Sequence, residues 1–174
     1  MKRALIVPLL LAATLAGCNK TPPQSGATTS ETNALPTHAL PTQAQPKLPT
    51  MKIYLGAETL HAELALTPEE EETGMMFRTN IQETDAMLFN LRVPQRASFW
   101  MTNCPESISA AYITPDGVIQ EIHHLEKNDA NAVESSREDI QFVLETKDGW
   151  FARHHVGVGT LIESEKGPLA QALR

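Results

Sequence analysis

Regular alternation of apolar and polar positions begins near residue 51. Leu60, Ala62, Leu64 and Leu66 alternate with His61 and Glu63, the period of two that a half-buried strand requires. With Ile53-Tyr54-Leu55 before the turn Gly56-Ala57-Glu58, this predicts a β-hairpin over residues 51–66. The pattern then breaks at Thr67-Pro68-Glu69-Glu70-Glu71-Glu72-Thr73-Gly74. Thr67 suits an N-cap, Pro68 the first helical position, Glu70 a capping box and Gly74 the C-terminal stop. Four glutamates in the first turns also match the positive end of the helix dipole. Capping explains that run better than a cation site, because consecutive residues fan around a helix.

Further strands are expected at Met87-Leu88-Phe89, residues 97–101, 108–114, 118–125, 141–147 and 156–163. Pro94 breaks the chain between the first two, and Pro115-Asp116-Gly117 turns it between the next pair. Residues 126–139 are polar and irregular, and residues 150–154 make one helical turn. Phe142 and Leu144 alternate against Gln141, Val143 and Glu145. The sum is a β-rich α+β domain: a compact sandwich or barrel of about seven short strands with one or two short helices. It spans residues 51–163, and residues 164–174 are expected to be a frayed tail.

The front of the chain has another character. Lys2 and Arg3 precede an apolar run over residues 4–15, too short to span a bilayer but right for a signal peptide. It ends in Leu15-Ala16-Gly17-Cys18, which resembles the bacterial lipobox. The expectation is a signal peptide over residues 1–17, removed before a lipidated Cys18, with Asn19 favouring the outer membrane. Residues 18–50 are rich in Pro, Thr, Gln and Ser, and such a segment reads as a disordered tether. The expected location is therefore the bacterial envelope, lipid-anchored, on the periplasmic face.

The formal charge is −7. Phosphate binding needs a basic footprint, so nucleic acid is excluded as a partner. With Cys18 taken by lipid, Cys104 has no partner within the chain.

From residue 63 to residue 162 the chain resembles the domain-of-unknown-function 192 family, small prokaryotic secreted or lipid-anchored proteins. The matching blocks are Thr67-Pro68-Glu69 with Gly74-Met75-Met76-Phe77-Arg78, then Asp85-Ala86-Met87-Leu88-Phe89, Phe99-Trp100-Met101-Thr102-Asn103, Asp116-Gly117 and Gly149-Trp150-Phe151. The resemblance implies a single β-rich domain and no accepted activity. Many members carry Asn-Thr followed by Pro-Leu-Asp-Ile; this chain has Asn103-Cys104 and then Ser107-Ile108-Ser109-Ala110. Ser109 thus stands where relatives have an aspartate, which weakens an enzymatic reading.

The candidate chemistry is a small-ligand site. Phe77, Phe99, Trp100 and Trp150 would supply apolar walls, and Arg78, Asp85, Asn103, Ser109 and Glu145 the placed polar groups. A sugar, a cell-wall fragment or an envelope partner would suit it. Competing with this is a plainer reading, in which the aromatics form the core and Arg78–Asp85 is a structural ion pair. An alternative of another class is a hydrolase or accessory enzyme acting on envelope carbohydrate through Asp85 and Glu145. A Cys104 nucleophile lacks any neighbour that would lower its pKa. His123 and His124 would face opposite sides of a strand, and His61, His154 and His155 add no ligand spacing. Neither a metal nor another cofactor is expected.

Overall fold

The computed structural model describes residues 40–174. Cys18, the signal peptide and the first part of the tether lie outside the described residues. Ten strands and three short helices follow: β1 Thr50–Leu55, β2 Glu58–Ala65, α1 Pro68–Thr73, β3 Ala86–Gln95, β4 Ser98–Phe99, β5 Ile108–Ile113, β6 Ile119–Leu125, β7 Val133–Glu134, β8 Ile140–Lys147, α2 Trp150–Arg153, β9 Ile162–Ser164, β10 Gly167–Pro168 and α3 Leu169–Ala172. Eight strands form one sheet in the order β10-β9-β1-β2-β3-β8-β5-β6, and β4 pairs with β7 separately. The β-rich class is as expected.

β1 and β2 form the antiparallel hairpin, with Ile53 opposite Leu60. β2 then runs parallel to β3, Leu64 beside Leu88. Parallel neighbours need a crossover, and residues 66–85 with α1 supply it. Gly117 makes the turn between β5 and β6 at φ +87°, where an added Cβ would sit 2.6 Å from the Ile162 carbonyl oxygen. A side chain there is excluded by space as well as by backbone conformation.

The sheet carries a core on each face. One holds Ile53, Leu88, Ile113, Phe142 and Leu144 with Trp150, Phe151 and Leu169. The other holds Met87, Phe89, Ala110, Tyr112 and Val143 with Met75, Met76, Met101 and Cys104. Alternation divides the central strands between them, except at Ile140, which joins the second core beyond the register shift of β3. All six β5 residues are buried, as in a strand covered on both sides.

The structure corrects several expectations. β3 continues through Pro94 to Gln95, with a register irregularity between Asn90 and Gln95 and Arg92 in a left-handed conformation. An irregular ladder tolerates a residue without an N–H. The strand expected over residues 97–101 shrinks to Ser98–Phe99, and the one over 156–163 to Ile162–Ser164. The tail expected to fray forms β10 and α3: Leu169 is buried, and the Asn90 side-chain amide donates to the Leu173 carbonyl at 2.9 Å. The last part of the tether is also bound. The Gln45 amide donates to the Glu70 and Gly74 carbonyls at 3.2 and 2.9 Å, and the Leu48 N–H to Glu63 at 2.8 Å.

Candidate functional site

A cleft of about 340 Å³ opens on the second core, between the end of α1, β3 and β4. Local chemistry fixes each wall. At α1, the Thr67 hydroxyl accepts from the Glu70 N–H at 3.3 Å while Glu70 accepts from the Thr67 N–H at 2.9 Å. This is the capping box that the spacing predicts. Gly74 ends the helix at φ +45°, and Met75 and Met76 turn into the core. Phe77 and Asn103 both adopt left-handed backbone, and the Phe77 N–H donates to the Asn103 carbonyl at 2.8 Å. That bond ties the residues after α1 to those after β4. Phe89 and Phe99 meet edge to face at 5.1 Å, the arrangement ring quadrupoles favour. Trp100, 42% exposed, lines the cleft beside them.

Glu145 also lines this cleft. It sits on β8 between Met87 of β3 and Ala110 of β5, and its residue is 4% exposed. Its Oε2 is buried without a hydrogen-bond partner among the described residues. Burial pushes the carboxyl up to about 8, although the nearby Arg78 charge pulls it down. A neutral carboxyl therefore faces the cleft at neutral pH. Burial, and then the charge of Glu145, pushes the neighbouring Cys104 thiol up to about 12. Such a thiol carries little thiolate for nucleophilic chemistry.

The sequence-derived candidates separate on the fold. Trp100 and Glu145 share the cleft. Arg78 and Asp85 line a second hollow with Gln45 and Lys47. Arg78 pairs with Glu63 in two bonds of 2.6 and 2.8 Å, not with Asp85. Burial raises the Glu63 pKa, but its bonds to Arg78 and the Leu48 N–H outweigh this and hold it below the usual range. Asp85 accepts from the Gln82 N–H at 2.8 Å. Asn103 acts through its main-chain carbonyl. The Ser109 hydroxyl accepts from the Gly149 N–H at 2.9 Å and lies 3.3 Å from Asp148. Trp150 is buried in the other core and stacks on His154 at 4.3 Å. Phe99 lines the cleft, whereas Phe77 packs on the second core outside it. Asp85 and Glu145, the proposed hydrolase pair, thus occupy different hollows.

Glu71, Glu72, Met75 and Met76 line the cleft but are absent from the sequence-derived set. The glutamate run was legible as helix capping, and its place beside β4 depends on tertiary packing. His123 packs on Tyr112 at 4.8 Å and pairs with Glu121, whereas His124 meets Asp148 at 2.8 Å. Among the described residues, no three His, Cys, Asp or Glu side chains cluster as metal ligands.

A family model described as DUF192, Uncharacterized ACR, matches residues 51–164. A solved structure from Sinorhizobium meliloti 1021, described as a candidate transcription regulator, is similar at 27% identity and a TM-score of 0.65, covering 70% of this chain and 98% of that one. A protein of unknown function from Novosphingobium aromaticivorans DSM 12444 is similar at 25% identity and a TM-score of 0.64, covering 69% and 90%. No curated protein matches the chain significantly.

Proposed function

Because this chain belongs to the DUF192 family, uncharacterised as a family, we propose its role from its own cleft: a non-catalytic envelope module that binds a small ligand. The observation that carries this reading is Glu145, a buried carboxyl with an oxygen unpartnered among the described residues, at an aromatic cleft. A buried polar group without a partner costs roughly 1–3 kcal/mol, and a ligand that completes it recovers that cost. The cleft's volume lies at the lower end for small-molecule sites. The raised Cys104 pKa and the separation of Asp85 from Glu145 argue against the thiol and paired-carboxylate enzymes.

Trp100 reports on occupancy. It lines the cleft, whereas Trp150 is buried on the opposite face of the sheet. A ligand that fills the cleft is expected to change Trp100 fluorescence without turnover, and Trp100→Phe to remove the response. A response that persists in Trp100→Phe, or its absence across a panel of small envelope metabolites and fragments, would sink the reading.

Lipid anchorage through Cys18 at the outer membrane, and exclusion of nucleic acid by the −7 charge, complete the proposal. That charge also disfavours DNA as a ligand of this chain. Cys18→Ser is expected to release the protein from the membrane fraction and to block labelling with a radioactive fatty acid. Retention of both would contradict the anchor.

A further inference from the structure

Resting on the ligand-binding reading above, we infer that the cleft selects an organic cation: a small molecule with an apolar body and a protonated primary or secondary amine seated against Glu145. The charge of the lining is the first reason. Among the described residues, Glu71 and Glu145 line the cleft with one cation, Arg96. Arg96 is already engaged, donating to the Ser135 carbonyl at 3.1 Å and pairing with Glu138 at 3.2 Å. Glu71 shares its charge with Arg92 at 3.0 Å. A carboxylate or phosphate ligand would meet these acids with no uncommitted cation among the described lining residues to hold it.

The second reason is the kind of polar group on offer. Glu145 lines the cleft, and its buried Oε2 has no hydrogen-bond partner among the described residues; once ionised, the carboxylate is an acceptor that an ammonium N–H completes. A sugar needs several donors and acceptors, and two of the lining's polar side chains are turned to the backbone. The Thr73 hydroxyl is spent on the Glu69 carbonyl at 2.7 Å and the Gln95 amide on the Leu91 carbonyl at 3.1 Å. A quaternary ammonium has no N–H to give.

The third reason is the walls. Phe89, Phe99 and Trp100 offer π faces and edges, and Met75 and Met76 polarisable thioethers. Aromatic faces attract cations by about 0.5–2 kcal/mol, and methionine adapts to apolar bodies of varied shape.

Occupancy then couples to a proton. In the free protein Glu145 is neutral until about pH 8, so an ammonium displaces its proton on binding. Affinity rises with pH, by about tenfold per unit at most, until Glu145 is ionised in the free protein. The groups facing Glu145 from neighbouring elements are few. Arg78 is already paired with Glu63 of β2. Cys104 and Tyr112, both raised by burial, stay neutral throughout. Glu71, Glu72 and Arg96 lie around the cleft.

The test compares three probes of one size by calorimetry on the full chain: 2-phenylethylamine, 2-phenylethanol and 3-phenylpropanoate. Near pH 8 the amine is expected to bind at least about tenfold more tightly than the alcohol, a difference of about 1.4 kcal/mol. The carboxylate is expected to bind more weakly than either. The preference should vanish in Glu145→Gln. The wild-type amine affinity should rise between about pH 6 and about pH 8, with a heat that tracks buffer ionisation as protons are released. Trp100→Ala, a change at a partly exposed side chain, should weaken the amine several-fold while keeping the pH slope, so the outcome does not rest on one variant. Equal binding of amine and alcohol, with Trp100 still responding, would overturn the cation and leave the cleft reading intact. Preference for the carboxylate, or an amine affinity unchanged in Glu145→Gln, would overturn it equally. Silence of all three probes also overturns it, while the Trp100 panel separately decides the reading beneath.

Discussion

Glu145→Gln is expected to make the protein more stable above about pH 8, and to flatten a decline that the wild type shows from acid to neutral pH. The folded carboxyl titrates at about 8 against a usual value near 4.5. Below the lower value both states hold the proton, and the group contributes no pH dependence. Between the two, the folded protein binds a proton that the unfolded chain has released. Stability then falls as pH rises, by at most about 1.4 kcal/mol per unit, for a total on the order of 5 kcal/mol. Glutamine keeps the shape and cannot ionise, so it escapes that loss. Urea denaturation of both proteins at a series of pH values measures the difference. Because other groups titrate alike in the two, the gap between the curves belongs to Glu145. Parallel curves would show that the carboxyl is not held neutral.

Arg78→Met should act in the opposite direction, and by a comparable amount. The Arg78 and Glu63 side chains are only 15% and 9% exposed. Removing the arginine strands a buried carboxylate that keeps only the Leu48 N–H. Breaking such a pair costs about 3–5 kcal/mol, with the lower end expected here because both groups retain some solvent. The double variant Glu63→Leu/Arg78→Met should recover part of the loss, since no charge is then left unpaired. The Glu63 pKa is lowered by folding. Its contribution is therefore present above the usual glutamate value and fades as pH falls through the lower, folded one. Urea midpoints of the two single variants and the double variant make the cycle. A loss in Arg78→Met below about 1 kcal/mol, the worth of an exposed pair, would place this pair among surface contacts.

These two residues show how far the chain could be read in advance. Local rules placed α1 to the residue, because Thr67, Glu70 and Gly74 act on neighbouring backbone. The β1–β2 hairpin was legible for the same reason. Arg78 was singled out as a placed charge, and its partner lies 15 residues upstream on β2, not at Asp85. No local pattern distinguishes those carboxylates. Glu145 falls on the polar side of the alternation with Phe142 and Leu144, and it reads there as a placed polar group of a pocket. In the fold that face packs a second core, with Met87, Val143 and Tyr112, so a residue on the polar side of the pattern is buried. The two tryptophans illustrate the same limit. Both look like pocket walls in the sequence, yet Trp100 lies beside the cleft and Trp150 behind the sheet. The ordered tail depends on Asn90, 83 residues before Leu173, a contact that periodicity cannot reveal.

The central claim is that Glu145 is a neutral, unpartnered carboxyl awaiting a ligand. The most direct measurement is the titration of its side-chain carboxyl carbon by NMR, with the resonance assigned by its loss in Glu145→Gln. A midpoint near 8 in the free protein, moving downward when the cleft holds an amine, is the predicted result. A midpoint near the usual 4.5, unmoved by any ligand, would contradict the account.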